Sequence, residues 1–349
     1  MPFRRILVRA TNWVGDAVMS IPALQALRDR FSSAEITILA RPWVAGLYGR
    51  EPFCDDLIPY EAPRNWRGLR EKWHMSQDLR KRHFDCAILL QNAFESAALV
   101  KAAGIPVRIG YNRDARGWLL THPIPVPTEG EIPKHQRFYY LELLKRARLL
   151  EKYGTGKPIR LAGASAAAQA GRDLFRASSL AGPVIGVAPG AAYGGAKRWL
   201  PERFGEVAAR LAEERGASVA IFGSKEEWPI CNIVHQYLQR RARHSVNLAG
   251  ATTLGELIEI VAACELLLTN DSGPMHIASA LGVRTVAVFG ATDYEATGPT
   301  GEWSRVVREP VECSPCLLRE CPIDHRCMTR VGVERVTQES SELLAAHVD

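Results

Sequence analysis

Apolar and polar positions follow one alternation from the start of the chain. The consecutive apolar residues Ile6-Leu7-Val8 predict a buried strand over residues 4–10. From Ala17 to Arg30 the apolar positions recur every three or four residues, which predicts a helix. A second apolar run at 35–40 follows directly. A strand, a helix and a strand in this order are typical of a βαβ unit, and therefore of a parallel sheet.

The same alternation continues and then starts again in the second half of the chain. In the first half it predicts further strands over 57–60, 84–90 and 107–111 and a long helix over 135–153. In the second half it predicts strands over 184–188, 218–222, 265–269 and 284–289 and helices over 201–215, 253–263 and 274–281. The repeated pattern favours the α/β class with two Rossmann-like, doubly wound domains in tandem.

The expected domain bounds follow from a change of amino-acid composition between the two halves. Residues 161–182 are rich in Gly, Ala and Ser, which predicts a linker region that could contain one helix. The N-terminal domain is then expected over 1–160 and the C-terminal domain over 183–332. Residues 333–349 are expected to form a final helix that could pack across the junction. Because ligands bind beyond the carboxyl ends of strands in such sheets, the loops at those ends are expected to face an interdomain cleft.

Composition adds a charge asymmetry to this picture. The chain of 349 residues is 47% hydrophobic and 23% charged, which is typical of a globular protein and excludes a disordered or collagen-like one. Residues 1–160 contain 26 Lys and Arg against 16 Asp and Glu, whereas residues 161–349 contain 18 against 22. The first domain is therefore expected to face an anionic partner. Nucleic acid is not expected, because no binding motif for it accompanies the charge.

The expected cellular compartment bears on the state of the cysteines, because disulfides form in oxidising compartments. The N-terminal apolar run is too short for a signal peptide and no apolar run reaches transmembrane length, so a cytoplasmic location is expected. Four of the eight cysteines have the spacing C-x2-C-x4-C-x5-C, namely Cys313, Cys316, Cys321 and Cys327. Two alternatives remain open for this cluster. It holds a structural metal such as zinc, or it consists of reduced thiols or a disulfide that stabilises a loop.

Two loops of the second half have the chemistry of a phosphate site. Pro189–Trp199 places glycines and Lys197 between a strand and a helix, where backbone amides and a cation suit a phosphate. In the loop Asn270–His276, the amides of Ser272 and Gly273 could hold a pyrophosphate that His276 also reaches. The alternatives are a solvated basic loop and ordinary helix capping. The first of these loops matches neither the P-loop nor the dinucleotide fingerprint.

Asp16 is the candidate catalytic residue of the first half. It follows the first strand in Trp13-Val14-Gly15-Asp16, so it is expected at the carboxyl edge of the sheet. A carboxylate there could act as a general base toward a sugar hydroxyl. The alternative is that Asp16 only caps the first helix.

Taken together, these loops resemble the ADP-heptose:lipopolysaccharide heptosyltransferases, the family-nine glycosyltransferases of GT-B fold. The resemblance rests on residues 12–16, on Pro189-Gly190-Ala191 with residues 196–199, and on residues 270–276, and it extends over nearly the whole chain. The Trp-Val-Gly-Asp form and the late Cys-Ser-Pro-Cys segment are most similar to the members that add the second heptose of the inner core.

The resemblance implies a reaction and a role for each motif. Heptose would pass from ADP-heptose to the first heptose of the lipopolysaccharide core, with inversion at the anomeric carbon. Asp16 would be the base and Lys197 would neutralise the ADP leaving group. The donor-binding residues would be Asp271, Ser272, Gly273, His276 and an acid that binds the ribose, for which Glu226 and Glu227 are candidates and Glu227 is preferred. No cofactor is expected to be required for catalysis, because the chain has no Asp-x-Asp metal clamp.

A basic segment of the first half is the expected surface for binding the acceptor substrate. Residues 61–83 contain seven Lys and Arg and three acids, interleaved with tryptophans. We expect Arg64, Arg67 and Arg113 to bind a heptosylated Kdo-lipid A acceptor at the anionic, cytosolic face of the inner membrane, as a peripheral protein. The alternative is a solvated helix face.

Two further functions remain as alternatives. One is a related family-nine transferase with another core acceptor or another nucleotide heptose. The other is a noncatalytic protein that binds a nucleotide sugar, in which Asp16 would be only a helix cap.

Overall fold

The chain divides into two compact units, Met1–Lys157 and Pro158–Asp349. A computed structural model describes residues 3–61, 66–180, 182–241 and 244–346. The division lies close to the expected end of the first domain at residue 160. The expected linker over 161–182 is wrong, because this stretch belongs to the second unit.

The first unit is a six-stranded parallel sheet with helices, in the strand order β3-β2-β1-β4-β5-β6. Its strands are β1 Arg5–Arg9, β2 Glu35–Ala40, β3 Asp56–Pro59, β4 Cys86–Leu89, β5 Val107–Tyr111 and β6 His122–Ile124. Its helices are α1 Val14–Arg30, α2 Pro42–Tyr48, α3 Trp66–Lys81, α4 Phe94–Ala102 and α5 Arg137–Arg146. The apolar run Ile6-Leu7-Val8 is fully buried, as expected for a central parallel strand covered on both faces.

The second unit repeats this plan with the strand order β12-β11-β10-β7-β8-β9. Its strands are β7 Val184–Ala188, β8 Ser218–Ile221, β9 Ser245–Asn247, β10 Leu266–Asn270, β11 Arg284–Phe289 and β12 Ser304–Arg308. Its helices are α6 Ala164–Ala177, α7 Pro201–Arg215, α8 Trp228–Gln239, α9 Leu254–Ala262, α10 Gly273–Leu281, α11 Tyr294–Thr297, α12 Arg326–Thr329 and α13 Val333–Ala345. The predicted α/β class with two doubly wound sheets is confirmed.

Helix α6 explains why the small residues of 161–182 do not form a linker. It packs on α9, and a Cβ at Gly171 would lie 2.0 Å from the carbonyl oxygen of Glu259. The small residues therefore serve close helix packing. Helix α13 packs on α7 and β11 within the second unit, where Val336 and Leu343 join the core.

The expected helix over 135–153 is shorter than predicted. It begins at Arg137 and ends at Arg146. Beyond this end, Arg148 has a φ of +58°, and the amide of Leu149 donates to the carbonyl of Leu144. This left-handed turn satisfies the last carbonyls of the helix and stops it.

The topology fixes where polar loops gather in each unit. In both sheets the strand order reverses beside the first strand, between β1 and β4 in one unit and between β7 and β10 in the other. Loops that follow these strands flank a switch point, the usual ligand site of a doubly wound sheet. In the described part of the chain, none of the helices is long and apolar enough to cross a membrane.

Candidate active site

Asp16 lies in the first turn of α1, directly beyond the carboxyl end of β1. It is not the N-cap of that helix, because Trp13 holds this position without a side-chain cap. The hydroxyl of Tyr140 on α5 donates to Oδ1 of Asp16 at 3.0 Å. Tyr140 is only 4% exposed, and burial together with the charge of Asp16 raises its pKa well above the usual value. Its hydroxyl therefore keeps its proton and remains a donor to the carboxylate.

A buried arginine holds the loop that leads to Asp16. The guanidinium of Arg9 donates to the carbonyls of Ala10 and Leu39 at 3.0 and 3.1 Å and to Oδ1 of Asn12 at 3.2 Å. The indole of Trp43 donates to the carbonyl of Asn12 at 2.8 Å. Burial lowers the pKa of Arg9 to about 10, so the side chain is still charged at neutral pH. Because backbone and side-chain acceptors fix this loop, Asp16 in the first turn of α1 has a defined position.

A second buried arginine organises the loops after β4 and β5. Arg116 donates to the carbonyls of Tyr111 and Gln91 and, at 2.9 Å, to Oδ1 of Asn92. The amide of Asn92 in turn donates to the hydroxyl of Tyr139 at 2.8 Å. The burial of these two arginines was not predicted, because a charged residue at the end of a strand or in a loop gives no local sign that it is buried.

Arg113 lies on the same carboxyl edge of the first sheet as Asp16, in the loop after β5. Its side chain is exposed, and a hydrogen bond with Tyr139 raises its pKa. Trp13 and Trp43 follow β1 and β2 at this edge and are also exposed, at 52% and 48%. The guanidinium of Arg41 lies 5.7 Å from the centroid of the Trp43 ring. A flat aromatic surface beside a cation is able to contact the apolar face of a sugar ring while the cation holds an anionic group.

Within the basic segment, residues Trp66–Lys81 form helix α3. Leu69 and Trp73 are exposed on it, and Lys72 pairs with Glu95 at 3.1 Å. Arg64 and the side chain of Arg67 lie outside the described residues. For these two arginines the acceptor role stays a prediction.

In the second unit, Lys197 and Asp271 form an ion pair of 2.6 Å. It joins the loop after β7 to the loop after β10, and the two side chains are 13% and 3% exposed. The same Oδ2 of Asp271 accepts from the hydroxyl of Thr292 at 2.6 Å. Asp271 is thus occupied in holding Lys197, so its chemistry suits a positioning role better than direct contact with an anionic donor.

Asn270 fastens the two loops to each other. It is fully buried, its Oδ1 accepts from the amide of Trp199 at 2.9 Å, and its Nδ2 donates to the carbonyl of Pro189 at 2.8 Å. Sequence analysis quoted Asn270 only as part of a motif. Its position at the end of the apolar strand β10 is consistent with a buried, structural role.

The N-terminus of α10 is the expected phosphate-binding site. Ser272 is its N-cap in extended conformation, but no side-chain cap is present, and the hydroxyl of Ser272 instead lies 3.1 Å from that of Thr269. Gly273 begins the helix, and His276 in its first turn is 6% exposed. The ordinary capping alternative is therefore wrong for the Ser272 side chain. The unsatisfied amides and the helix dipole favour an anion at this end.

The two candidate ribose acids differ in their surroundings. Glu226 is exposed, whereas Glu227 is half-buried and its Oε2 accepts from the amide of Ser224 at 2.9 Å. A Cβ at Gly190 would lie 2.2 Å from Oε1 of Glu227. Glycine at 190 therefore lets this carboxylate reach the end of β7, beside the Lys197 loop, which Glu226 does not do.

The four clustered cysteines carry free thiols. Burial, and then the charges of Cys313, Cys316 and Cys321, raise the pKa of Cys327 to about 11. Among the residues that the structure describes, no group of three or more His, Cys, Asp or Glu side chains could hold a metal ion. The zinc alternative therefore has no support in the described part of the chain, and no disulfide joins these four cysteines there.

Comparisons with known proteins place this site in a family. The model of glycosyltransferase family 9 (heptosyltransferase) matches residues 72–326, more than half of the chain. Lipopolysaccharide heptosyltransferase 2 of Escherichia coli (strain K12) is 31% identical over 309 residues, which cover 87% of this chain and 88% of that protein. The solved structure of E. coli ADP-heptose lipopolysaccharide heptosyltransferase II matches with a TM-score of 0.81 at 30% identity, over 97% of this chain and 98% of that one.

A more distant structure shares the fold. An E. coli heptosyltransferase solved with ADP matches with a TM-score of 0.75 at 18% identity, over 97% of this chain and 99% of that one. The family match covers β4 to β12 and with them the Lys197 loop, Asn270 and the N-terminus of α10. With two doubly wound sheets and this set of polar loops, the chain belongs to glycosyltransferase family 9, the heptosyltransferase family.

Proposed function

We propose that this protein transfers L-glycero-D-manno-heptose from ADP-heptose to the first heptose of the lipopolysaccharide inner core. Membership of the heptosyltransferase family supports the reaction class. A curated relative and a solved structure, both from E. coli and both named for the second heptosyltransferase, support the position of transfer at 31 and 30% identity over most of the chain. The observation that carries the proposal is the Asp16 carboxylate at the carboxyl edge of its sheet, held by the protonated hydroxyl of Tyr140.

Asp16 is the general base of the proposed reaction. It removes the proton of the acceptor hydroxyl as the hydroxyl oxygen attacks the anomeric carbon. The bond from that carbon to the ADP oxygen breaks on the opposite face, so the configuration inverts and ADP leaves as an anion. The substituted carbon passes through an oxocarbenium-like transition state, which one carboxylate base and a stabilised leaving group make accessible.

The second unit stabilises the leaving group. Lys197 faces the diphosphate, and the amides of Ser272 and Gly273 at the N-terminus of α10 add hydrogen-bond donors. Asp271 positions Lys197, and His276 lies in the first turn of the same helix. Glu227 accepts from the ribose hydroxyls. No metal ion has a role in this proposal.

The acceptor is a heptosylated Kdo-lipid A, bound by the basic first unit. Arg113 supports this assignment because it lies on the edge that carries Asp16, and Arg64 and Arg67 would extend the contact. The exposed Leu69 and Trp73 on the basic helix α3 suit a peripheral contact with an anionic membrane, at the cytosolic face of the inner membrane.

One experiment tests the position of transfer. Purified protein is supplied with ADP-heptose and with acceptors that carry zero, one or two heptoses, and the products are identified by mass. We expect transfer only to the acceptor with one heptose. Transfer to the acceptor without heptose alone would refute the proposed position while leaving the reaction class intact.

A further inference from the structure

The charge of Lys197 is already compensated in the structure. Its ammonium lies 2.6 Å from the Asp271 carboxylate, and both side chains are largely buried. A departing nucleoside diphosphate brings at least two negative charges to this place. The Lys197–Asp271 pair is neutral overall, and the backbone amides of α10 carry no net charge. Most of the negative charge of the diphosphate is therefore left without a matching cation.

The segment that carries the cysteines packs directly on the Lys197 loop. The hydroxyl of Tyr193 donates to the carbonyl of Leu317 at 2.8 Å, and the amide of Ala196 donates to the carbonyl of Arg319 at 2.9 Å. The amide of Gly195 donates to Oε1 of Glu320 at 2.9 Å. These three hydrogen bonds fix the backbone of residues 317–320 against the loop.

The contact is tight at Gly194. A Cβ there would lie 2.2 Å from the carbonyl oxygen of Arg319, and Gly194 has a φ of +157°. A larger residue would push the segment away from the loop. The backbone of Arg319 is thus held in van der Waals contact with the loop by hydrogen bonds that do not involve its side chain.

The guanidinium of Arg319 lies against the same aromatic ring as the ammonium of Lys197. Its Cζ is 5.0 Å from the ring centroid of Tyr193, and Nζ of Lys197 is 4.9 Å from the same centroid. In the described ranges, no ion pair joins Arg319 to a carboxylate. Its side chain is exposed, so it holds an uncompensated charge next to a compensated one.

We propose that Arg319 is a further donor-binding residue, which contacts the diphosphate of the ADP-sugar and supplies the positive charge that the Lys197–Asp271 pair lacks. The planar guanidinium suits phosphate oxygens because it donates two parallel hydrogen bonds to them. The ring of Tyr193 orients both cations, since each lies against it. This inference rests on the proposed use of an ADP-sugar.

The test is nucleotide binding by Arg319→Gln, measured by titration calorimetry with ADP and with adenosine. We expect the variant to bind ADP at least about ten-fold more weakly and adenosine as the parent does, because only the phosphate contact is lost. Unchanged adenosine binding also reports a folded site. Arg319→Lys is expected to retain part of the ADP affinity.

Arg326→Gln is the matched control. Arg326 lies on the same segment, but its guanidinium pairs with Asp324 at 3.0 Å and Glu312 at 3.5 Å. We expect this variant to bind ADP as the parent does. ADP affinity of Arg319→Gln within two-fold of the parent, or an equal loss in both variants, would overturn the inference. If the parent protein itself did not bind ADP, the proposed function would fail instead, and the inference with it.

Discussion

The hydroxyl of Tyr140 donates a 3.0 Å hydrogen bond to Oδ1 of Asp16, from a position more than a hundred residues away in the chain. Helix α5 packs on α1 and brings the buried phenol to the first turn of that helix. A charged hydrogen bond of this kind stabilises an ionised carboxylate and fixes its orientation. Tyr140 is therefore the positioning residue of the proposed base.

Tyr140→Phe removes this donor and keeps the ring. Without the donor the ionised carboxylate is disfavoured, so the base binds a proton at higher pH than in the parent. We expect the acid limb of the kcat/KM profile to move upward by about one pH unit, which corresponds to about 1.4 kcal/mol. The measurement is kcat/KM for transfer from pH 5 to 9.

The control for that profile is Tyr153→Phe. Tyr153 donates a hydrogen bond of the same kind, 2.7 Å long, to the carboxylate of Glu142 on α5, but it does not contact Asp16. We expect its pH profile to match that of the parent. An identical shift in both variants would assign the effect to the packing of α5 rather than to Asp16.

Asp16→Asn separates a catalyst from a binding protein. The amide keeps the size of the side chain but cannot take a proton, so we expect kcat to fall by about 10²- to 10⁴-fold. ADP binding is expected to stay within two-fold of the parent, because the donor groups lie on the second unit. Asp29→Asn, at an exposed position on the same helix, is expected to leave both values unchanged. Near-normal turnover by Asp16→Asn would show that Asp16 is not the base and has only a structural role.

Glu227→Ala tests the ribose contact. A carboxylate that accepts from a ribose hydroxyl contributes about 1.5–3 kcal/mol, so we expect ADP to bind roughly 10- to 100-fold more weakly. The loss should vanish when the ligand is 2′,3′-dideoxy-ADP, which has no ribose hydroxyl to donate. Glu226→Ala is the matched control, since its side chain is exposed one position earlier. Equal losses with both nucleotides would show that Glu227 only supports the loop.

The sequence predicts the repeating strands and helices because apolar runs and helical periodicity are local signals. Strands such as Val184–Ala188 match their predicted bounds, since a central parallel strand is apolar throughout. The short edge elements β6, β9 and β12 were not predicted, because edge strands bury little surface and their polar residues resemble loops. The composition around helix α6 predicts a linker region with room for one helix, because only the close approach of α9 explains its small residues.

The residues of the candidate site divide in the same way, into those that local signals predict and those that depend on packing. Motifs identified Asp16, Lys197 and the Asn270–His276 loop, because chemistry-bearing residues follow strand ends. The partners of these residues could not be predicted. Tyr140 is distant in the chain, Thr292 belongs to a loop without a motif, and the exposed Arg319 has no local sign of its neighbour Tyr193. Contacts between distant segments depend on packing, which periodicity does not encode.

The ion pair of Lys197 and Asp271 makes a prediction about local stability. Asp271→Asn removes the partner of a lysine whose side chain is only 13% exposed, which leaves a poorly hydrated charge. Breaking a buried pair in this way costs about 3–5 kcal/mol. Lys197→Met leaves the buried carboxylate of Asp271 without its ion-pair partner in the same way. We expect the double variant to recover part of the loss, because no unpaired charge remains.

The free energy of local opening is measured by hydrogen exchange of peptides covering β10 and α10. Arg215→Gln is the control, because Arg215 pairs with Glu265 at 2.6 Å just before β10, but both side chains are more exposed. Such a pair contributes about 1 kcal/mol or less, so protection should change little. Additive losses in the double variant Lys197→Met and Asp271→Asn would contradict a coupled pair. They would mean that Asp271 is held mainly by Thr292, and that another group positions the lysine for the diphosphate.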